Sequence, residues 1–444
     1  PGFSYQNFTW RKVDATRLSS ELEGHWNAGG LSTLTLYARD NTTNQLPSYL
    51  IFNTSANSAM GRTTLQHFSS LGFDAHHRQQ LGEQSSLLLG IAWEDNPMQA
   101  QEQNLAITRD PSSGSYTGFT TGSTRRDYTV DIRNQAAYAQ WDYHPSPAWK
   151  LQAGGRYDSI SYHYNNQLIP SSSTGAPSGV SHYQHFSPKL GASWLFAPQW
   201  SWWGNISQGF TPPEVSAQYG GSLVAPSLQP SVYNNIDTGL RWTRPDQSAS
   251  ADVSLYRLTG RNEVVNYSIA PGNSVPMNAG KTLHQGVEFG FKLQPKTAAW
   301  DAKFASALAS HRYQNYQVSP TLQYNGNAMP AAPHLMANAE VGYKPSANWR
   351  LSAEVQHLGP YWMDNANTVH YAGQNLLNLR ASYHQGAWEA WASVQNATNR
   401  HYAEIASSSY SGLGSYNPNT QNSYTPGAPR TLLIGLRYHF GAQP

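Results

Sequence analysis

The sequence predicts an all-β protein, a transmembrane barrel of antiparallel up-and-down strands. Three observations predict it. The last strand alternates by face, the connections alternate between short and long, and charge is scarce while Tyr and Trp are abundant.

The last strand is the clearest element. Between Gly427 and Phe440, residues Leu432, Ile434, Leu436, Tyr438 and Phe440 point one way, and Thr431, Gly435, Arg437 and His439 point the other. One apolar face backed by a polar face suits a wall between hydrocarbon and water. An aromatic residue near the chain end suits an outer-membrane barrel.

Composition agrees. Of 444 residues only 12% are charged, about half the usual share of a soluble protein. The 15 Trp and 27 Tyr suit a surface that meets lipid headgroups. Mean hydropathy is −0.58, and no apolar run reaches the roughly 18 residues of a membrane helix. A barrel passes that test because only alternate residues face lipid. The net charge of +2 gives no case for nucleic acid, and the absence of cysteine excludes disulfides, thiolate metal sites and thiol catalysis.

About 17 strand-like segments recur, beginning with Val13 to His25, and no stretch shows a helical apolar period. Short connections are expected at Trp26 to Gly30, Gln80 to Gln84, His144 to Ala148, Ala197 to Gln199, Arg244 to Gln247, Gln294 to Ala298, Lys344 to Asn348 and Gln385 to Ala387. Their Pro, Gly, Ser and Asn content suits tight turns. Long ones are expected at Asn41 to Arg62, Asn96 to Arg126, Asn165 to His182, Gly209 to Val232, Tyr267 to Pro276, Tyr313 to Pro333, Gly359 to Gly373 and Ala403 to Pro429. Such alternation is that of a barrel with short periplasmic turns and long outer loops.

Trp26, Trp149, Trp200, Trp242, Trp300, Trp349 and Trp388 each lie at or beside a short turn, which predicts an interfacial girdle. Within strands, Trp349 to Val355 and Leu377 to Tyr383 alternate cleanly, placing Arg350, Glu354, Arg380 and Ser382 toward the lumen. Leu34 to Arg39 alternates too, blurred by Tyr37. The final strand runs inward, so an odd count makes the first strand run inward and leaves residues 1 to 12 outside the cell. Bacterial single-chain barrels have even counts. Either the barrel is incomplete or one strand is miscounted.

Several stretches resemble TonB-dependent outer-membrane receptors. Pro429 to Phe440 is close to that family's ending. Val394 to Tyr402 matches its V-x-N-L-x-D-x-x-Y pattern at Val394, Asn396 and Tyr402 and departs at Ala397 and Asn399. Phe186 to Gly191 followed by Ser207 to Pro213, Gly239 to Arg241, Asn278 to Gly280 with Gly286 to Glu288, and Gly155 to Asp158 follow in the family's order. The resemblance implies energised import of a ferric siderophore or similar chelate, through a 22-stranded barrel closed by an N-terminal plug. It favours the incomplete barrel: residues 1–444 as its C-terminal part, with the plug and roughly five strands missing. Implied partners are outer-membrane lipid and lipopolysaccharide, the TonB–ExbB–ExbD system acting through the plug, and a metal chelate. No cofactor, metal site or catalysis is expected of the chain itself.

Other motifs are weak. H-E-x-x-H, P-loop and G-x-S-x-G signatures are lacking. His76 and His77, adjacent on a strand, point to opposite faces and cannot chelate one ion. The 16 His show no metal-ligand spacing with carboxylates. Asp95, Asp110, Asp364 and His370 are too scattered for a hydrolase barrel, and scarce charge weighs against a passive porin, the second reading. Ligand contacts are expected in the outer loops at Tyr116, Phe119, Arg125, Arg126, Tyr219, Tyr361, Trp362, His370, Tyr371, Tyr410 and Tyr416. Aromatic rings and Arg suit a flat anionic chelate, although long loops also use aromatics to hold themselves together.

Overall fold

A computed structural model describes residues 6, 8–47, 51–220, 223–270, 273–295 and 297–440. The rest, which include parts of three expected long connections and one short turn, lie outside the described residues. Seventeen long strands run in chain order: β1 Trp10–Trp26, β2 Gly30–Leu46, β3 Ser58–Gln80, β4 Ser85–Arg109, β5 Tyr116–Ser146, β6 Trp149–Asn166, β7 Gly179–Ala197, β8 Trp200–Thr211, β9 Ser231–Thr243, β10 Ala249–Ala270, β11 Asn273–Leu293, β12 Trp300–Asn315, β13 Leu335–Ser346, β14 Trp349–Leu358, β15 Gln374–Gln385, β16 Trp388–Gln395 and β17 Thr431–Tyr438. Each pairs antiparallel with the next, and the two-residue Phe52–Asn53 adds an eighteenth member on β3.

Seven of the eight expected short turns are present, the eighth, Gln294 to Ala298, lying partly outside the described residues, and the predicted count of long strands is met. Two expected long connections are not loops. β4 runs to Arg109 and β5 starts at Tyr116, so most of Asn96 to Arg126 is strand; likewise β10 and β11 absorb most of Tyr267 to Pro276. The 31 residues of β5 far exceed the roughly 10 that cross a bilayer. Beyond lipid, nothing imposes an apolar face, so the alternation that marks a strand fades. Two short helices, α1 Val215–Tyr219 and α2 Pro418–Gln421, also form inside long connections.

The faces separate oil from water. Leu18, Leu71, Ile91, Leu190, Ile206, Ile236, Leu308 and Val355 are exposed on strands from β1 to β14, part of an apolar belt far larger than a soluble surface tolerates. Leu433 is the exception on β17, falling by parity on the face of Arg437. Aromatic rings line the short-turn rim: Trp149 stacks on Trp194, Trp200 meets Trp242, Trp300 stacks on Tyr343, and Trp349 meets Tyr383.

The opposite face is polar and cross-linked. Arg350 binds Asp301 and Glu340, Glu354 accepts from Asn338 and Asn378, and Arg380 sits over the Trp391 ring. Tyr37 belongs to this face: its phenol crosses β3 above Gly72 and donates to Glu94 on β4 at 3.1 Å. In mirror fashion Tyr138 on β5 crosses β4 above Gly90 and donates to Asp74 on β3 at 2.7 Å. A Cβ at either glycine would stand within 2.5 Å of the crossing ring.

The sheet is open. Among the described residues β1 pairs only with β2, β17 only with β16, and no ladder joins β1 to β17. Gln6 and Phe8 reach across the long-loop end to Tyr116 and Phe119.

Candidate functional site

The buried apolar side chains cluster at the long-loop end, where they weld neighbouring connections into three bodies. Nine of the eleven expected contact residues divide among these bodies, and Arg125 and Arg126 line a cavity beside the second.

In the first, Leu46, Ala59, Leu105 and Ile107 form a small core with Phe8 and Tyr116 against it. Tyr116 donates to Asn53 at 3.0 Å, and Phe119 lies beside Phe8. Both residues lie on β5, not in a loop.

In the second, Val130, Tyr162, Tyr164, Ala176, Tyr183 and Tyr219 pack together. Tyr219 in α1 stacks on Tyr164 with centroids 4.3 Å apart, and its hydroxyl meets Ser181 at 2.6 Å. Burial pushes the Tyr219 phenol up from its ordinary value, partly offset by the Ser181 hydrogen bond. Ala176 donates to the Tyr219 carbonyl at 2.8 Å, tying the β6–β7 connection to the β8–β9 connection.

The third body joins the last three long connections. Tyr361–Trp362 pairs with His370–Tyr371 as a short hairpin. The Tyr361 hydroxyl accepts from Ala406 N–H and that of Tyr371 from Ala403 N–H, each at 3.0 Å. Buried Asp364 accepts from the N–H groups of Thr368 and Val369 at 3.0 Å, and Asn367 bonds both backbone groups of Ala328. Trp362 contacts His370 edge-on, and Tyr410 packs on Tyr416 nearer solvent. At its foot Asn396 is buried, and its amide binds the carbonyls of Arg400 and Ala428. Asn399, one of the two pattern departures, accepts from Arg430 N–H at 3.0 Å.

A cavity of about 870 Å³ opens between the second body and the upper wall of β9–β11. Arg125, Arg126, Glu214, Tyr233 and Glu263 supply its charged and phenolic lining. Arg125 is held by Glu102 at 2.6 Å, and Glu102 also meets Arg62 at 3.5 Å. Arg126 donates to the Gly220 carbonyl, while its Nε is buried without a hydrogen-bond partner. Guanidinium groups on a cavity wall can donate charge-assisted hydrogen bonds to an anion's oxygens.

Arg125 and Arg126, expected in an outer loop, lie on β5, and both line the cavity. Glu214, Tyr233 and Glu263 were not legible in sequence, because three different elements bring them together. His76 and His77 do face opposite ways, toward Asp74 and toward Ser32. Among the described residues, no three His, Cys, Asp or Glu side chains converge as a metal site.

Comparison with known proteins matches residues 1–397 to the family "TonB dependent receptor-like, beta-barrel". A ferrioxamine receptor from Yersinia enterocolitica is 24% identical over 291 residues, covering 62% of this chain and 38% of that protein. The siderophore receptor PiuA from Acinetobacter baumannii superposes with a TM-score of 0.76 at 14% identity, over 97% of this chain and 65% of that one. The ferric-catecholate import receptor Fiu from K12 E. coli gives 0.75 at 15% identity, over 98% and 65%. The chain thus spans under two thirds of the length of each of these relatives.

Proposed function

This chain belongs to the TonB-dependent receptor-like β-barrel family, and from that premise we infer that it builds most of the wall of an outer-membrane importer for a ferric siderophore or similar metal chelate. The family consists of outer-membrane receptors and transporters rather than enzymes. The observation that carries the reading is the cavity at the long-loop end, which Arg125 and Arg126 line together. Anionic chelates are bound by guanidinium through charge-assisted hydrogen bonds, and Tyr233 offers a phenol for the same ligand.

Among the described residues two sheet edges are unpaired, which supports an unclosed barrel, because lipid leaves no water to satisfy free N–H and C=O groups. Residues 1–444 would form the C-terminal part, about five further strands would close the wall at an even count, and a plug would fill its wide lumen and engage TonB–ExbB–ExbD.

Growth under iron limitation tests the reading. The full-length gene, placed in a strain lacking its own siderophore receptors, should restore growth on one class among hydroxamate, catecholate and citrate chelates. Rescue should vanish when TonB is deleted. Rescue that persists without TonB, or a large steady conductance of the complete protein in planar bilayers, would overturn it.

A further inference from the structure

His284 on β11 and His311 on β12 stand directly opposite in register. Both fall on the polar face, since their neighbours Val287, Phe289 and Leu308 are exposed on the apolar belt. Their Nδ1 atoms are 2.8 Å apart. The second nitrogen of His284, Nε2, lies 3.1 Å from the Thr282 hydroxyl. That hydroxyl in turn binds the Glu263 carboxylate.

With Glu263 ionised, this chain of contacts has one consistent order of protons. Thr282 has one hydroxyl proton and gives it to Glu263. His284 Nε2 must then donate to Thr282, which leaves the lone pair on His284 Nδ1, pointing at His311. An imidazole whose far N–H is anchored through a hydroxyl to a carboxylate is the arrangement that orients and strengthens a metal-binding nitrogen. The strand is shaped for it. A bulge around Asn262, whose φ is +57°, turns the Glu263 side chain back over Gly260 toward buried Thr282.

We propose that His284 and His311 are a two-nitrogen clamp for a cupric or nickel ion on the lumen wall, beneath the arginine-lined cavity. Glu263 links the two, since it also lines that cavity. Imidazole nitrogens sit about 2.05 Å from such ions, so a 2.8 Å separation subtends about 85° at the metal. That is the angle between adjacent ligands of a square-planar or octahedral ion. A tetrahedral zinc ion would need a separation of roughly 3.3 Å. On binding, the His311 proton moves from Nδ1 to Nε2, the ring staying neutral, and the ion takes its place between the rings. Water or donor atoms of a passing ligand fill the remaining positions. Two protein donors hold an ion weakly enough to release it, as a permeation path requires.

The test uses the full-length protein in detergent, without a histidine tag, titrated with CuCl2, NiCl2 and ZnCl2. Calorimetry and Cu(II) electron paramagnetic resonance are read at one equivalent. The wild type should bind Cu(II) and Ni(II) more tightly than Zn(II), with hyperfine splitting from two imidazole nitrogens. H284A and H311A should each weaken Cu(II) binding at least tenfold and remove that two-nitrogen signature. Thr282→Val should weaken it about tenfold while the two-nitrogen signature remains. H163A/H182A, at a histidine pair whose rings stand 6.5 Å apart, should change nothing. Where an alanine variant fails to fold by heat-modifiable gel mobility, H284Q or H311Q is read instead. An unchanged affinity and spectrum in the His284 and His311 variants would overturn the proposal, whatever chelate the protein transports.

Discussion

Arg350 grips Asp301 with both ends of its guanidinium, Nη1 at 2.8 Å and Nη2 at 2.9 Å, across the width of β13. Asp301 is almost wholly enclosed, so its charge has no recourse to solvent when the grip is lost. Arg350→Met should cost about 2–3 kcal/mol, toward the low end for a broken buried pair because Arg350 itself is partly exposed. Arg350→Met with Asp301→Asn should recover most of the loss. Urea unfolding in detergent, followed by gel mobility, reads both.

Gly72→Ala should destabilise the wall by about 1–3 kcal/mol, because the added methyl enters the space of the Tyr37 ring. Adding Tyr37→Ala should cancel at least part of that cost. Strictly additive single and double variants would show that the ring and the glycine do not interact.

The β4–β5 turn should respond to acid. Hydrogen bonds from Ser112, then Ser113, hold the Asp110 carboxyl at about 2, below its ordinary 3.8. A lowered folded value stabilises the turn above the unfolded value, and the contribution disappears as pH falls through about 2. Exchange of the Ser112 and Gly114 amides should therefore accelerate between about pH 4 and 2, and Asp110→Asn should abolish the acceleration.

Arg126→Ala should raise the chelate concentration for half-maximal uptake about tenfold, the loss of one charge-assisted contact. Arg133→Ala should leave it unchanged. Arg133 pairs with Asp95, and parity puts both on the outer face of the sheet, away from the cavity. Uptake of radiolabelled iron chelate by whole cells separates the two variants.

Tyr219→Phe should loosen the second loop body only slightly, by the 2.6 Å contact with Ser181, about 1 kcal/mol. Tyr219→Ala removes the stacked ring as well and should expose the Asn165 to His182 connection to protease. Equal cleavage of both variants would show that the ring carries no load.

What the sequence disclosed was what lipid dictates. Leu432, Ile434 and Leu436 had to share a face, and Trp149 and Trp300 had to mark a rim, because the bilayer penalises any other order. Above the membrane that discipline ends. Gln101 to Asn104 shows no apolar alternation, so this part of β4 read as loop, although Leu105 and Ile107 beyond it are buried in a local core. The cavity lining and the histidine pair were hidden for another reason. His284 and His311 are 27 residues apart and meet only through register, a property of paired strands that one strand alone does not carry.

The phenols that cross above Gly72 and Gly90 bear on a fault that face alternation cannot prevent. Sliding one strand by a single residue would turn oil inward and water outward, so that error is self-correcting. Sliding it by two keeps every face correct. Tyr37 and Tyr138 each span three strands to a particular carboxylate, and a two-residue slip would strand both phenols against side chains instead of bare backbone. They act as keys in a lock, and a long, repetitive wall needs such keys to fold in only one alignment.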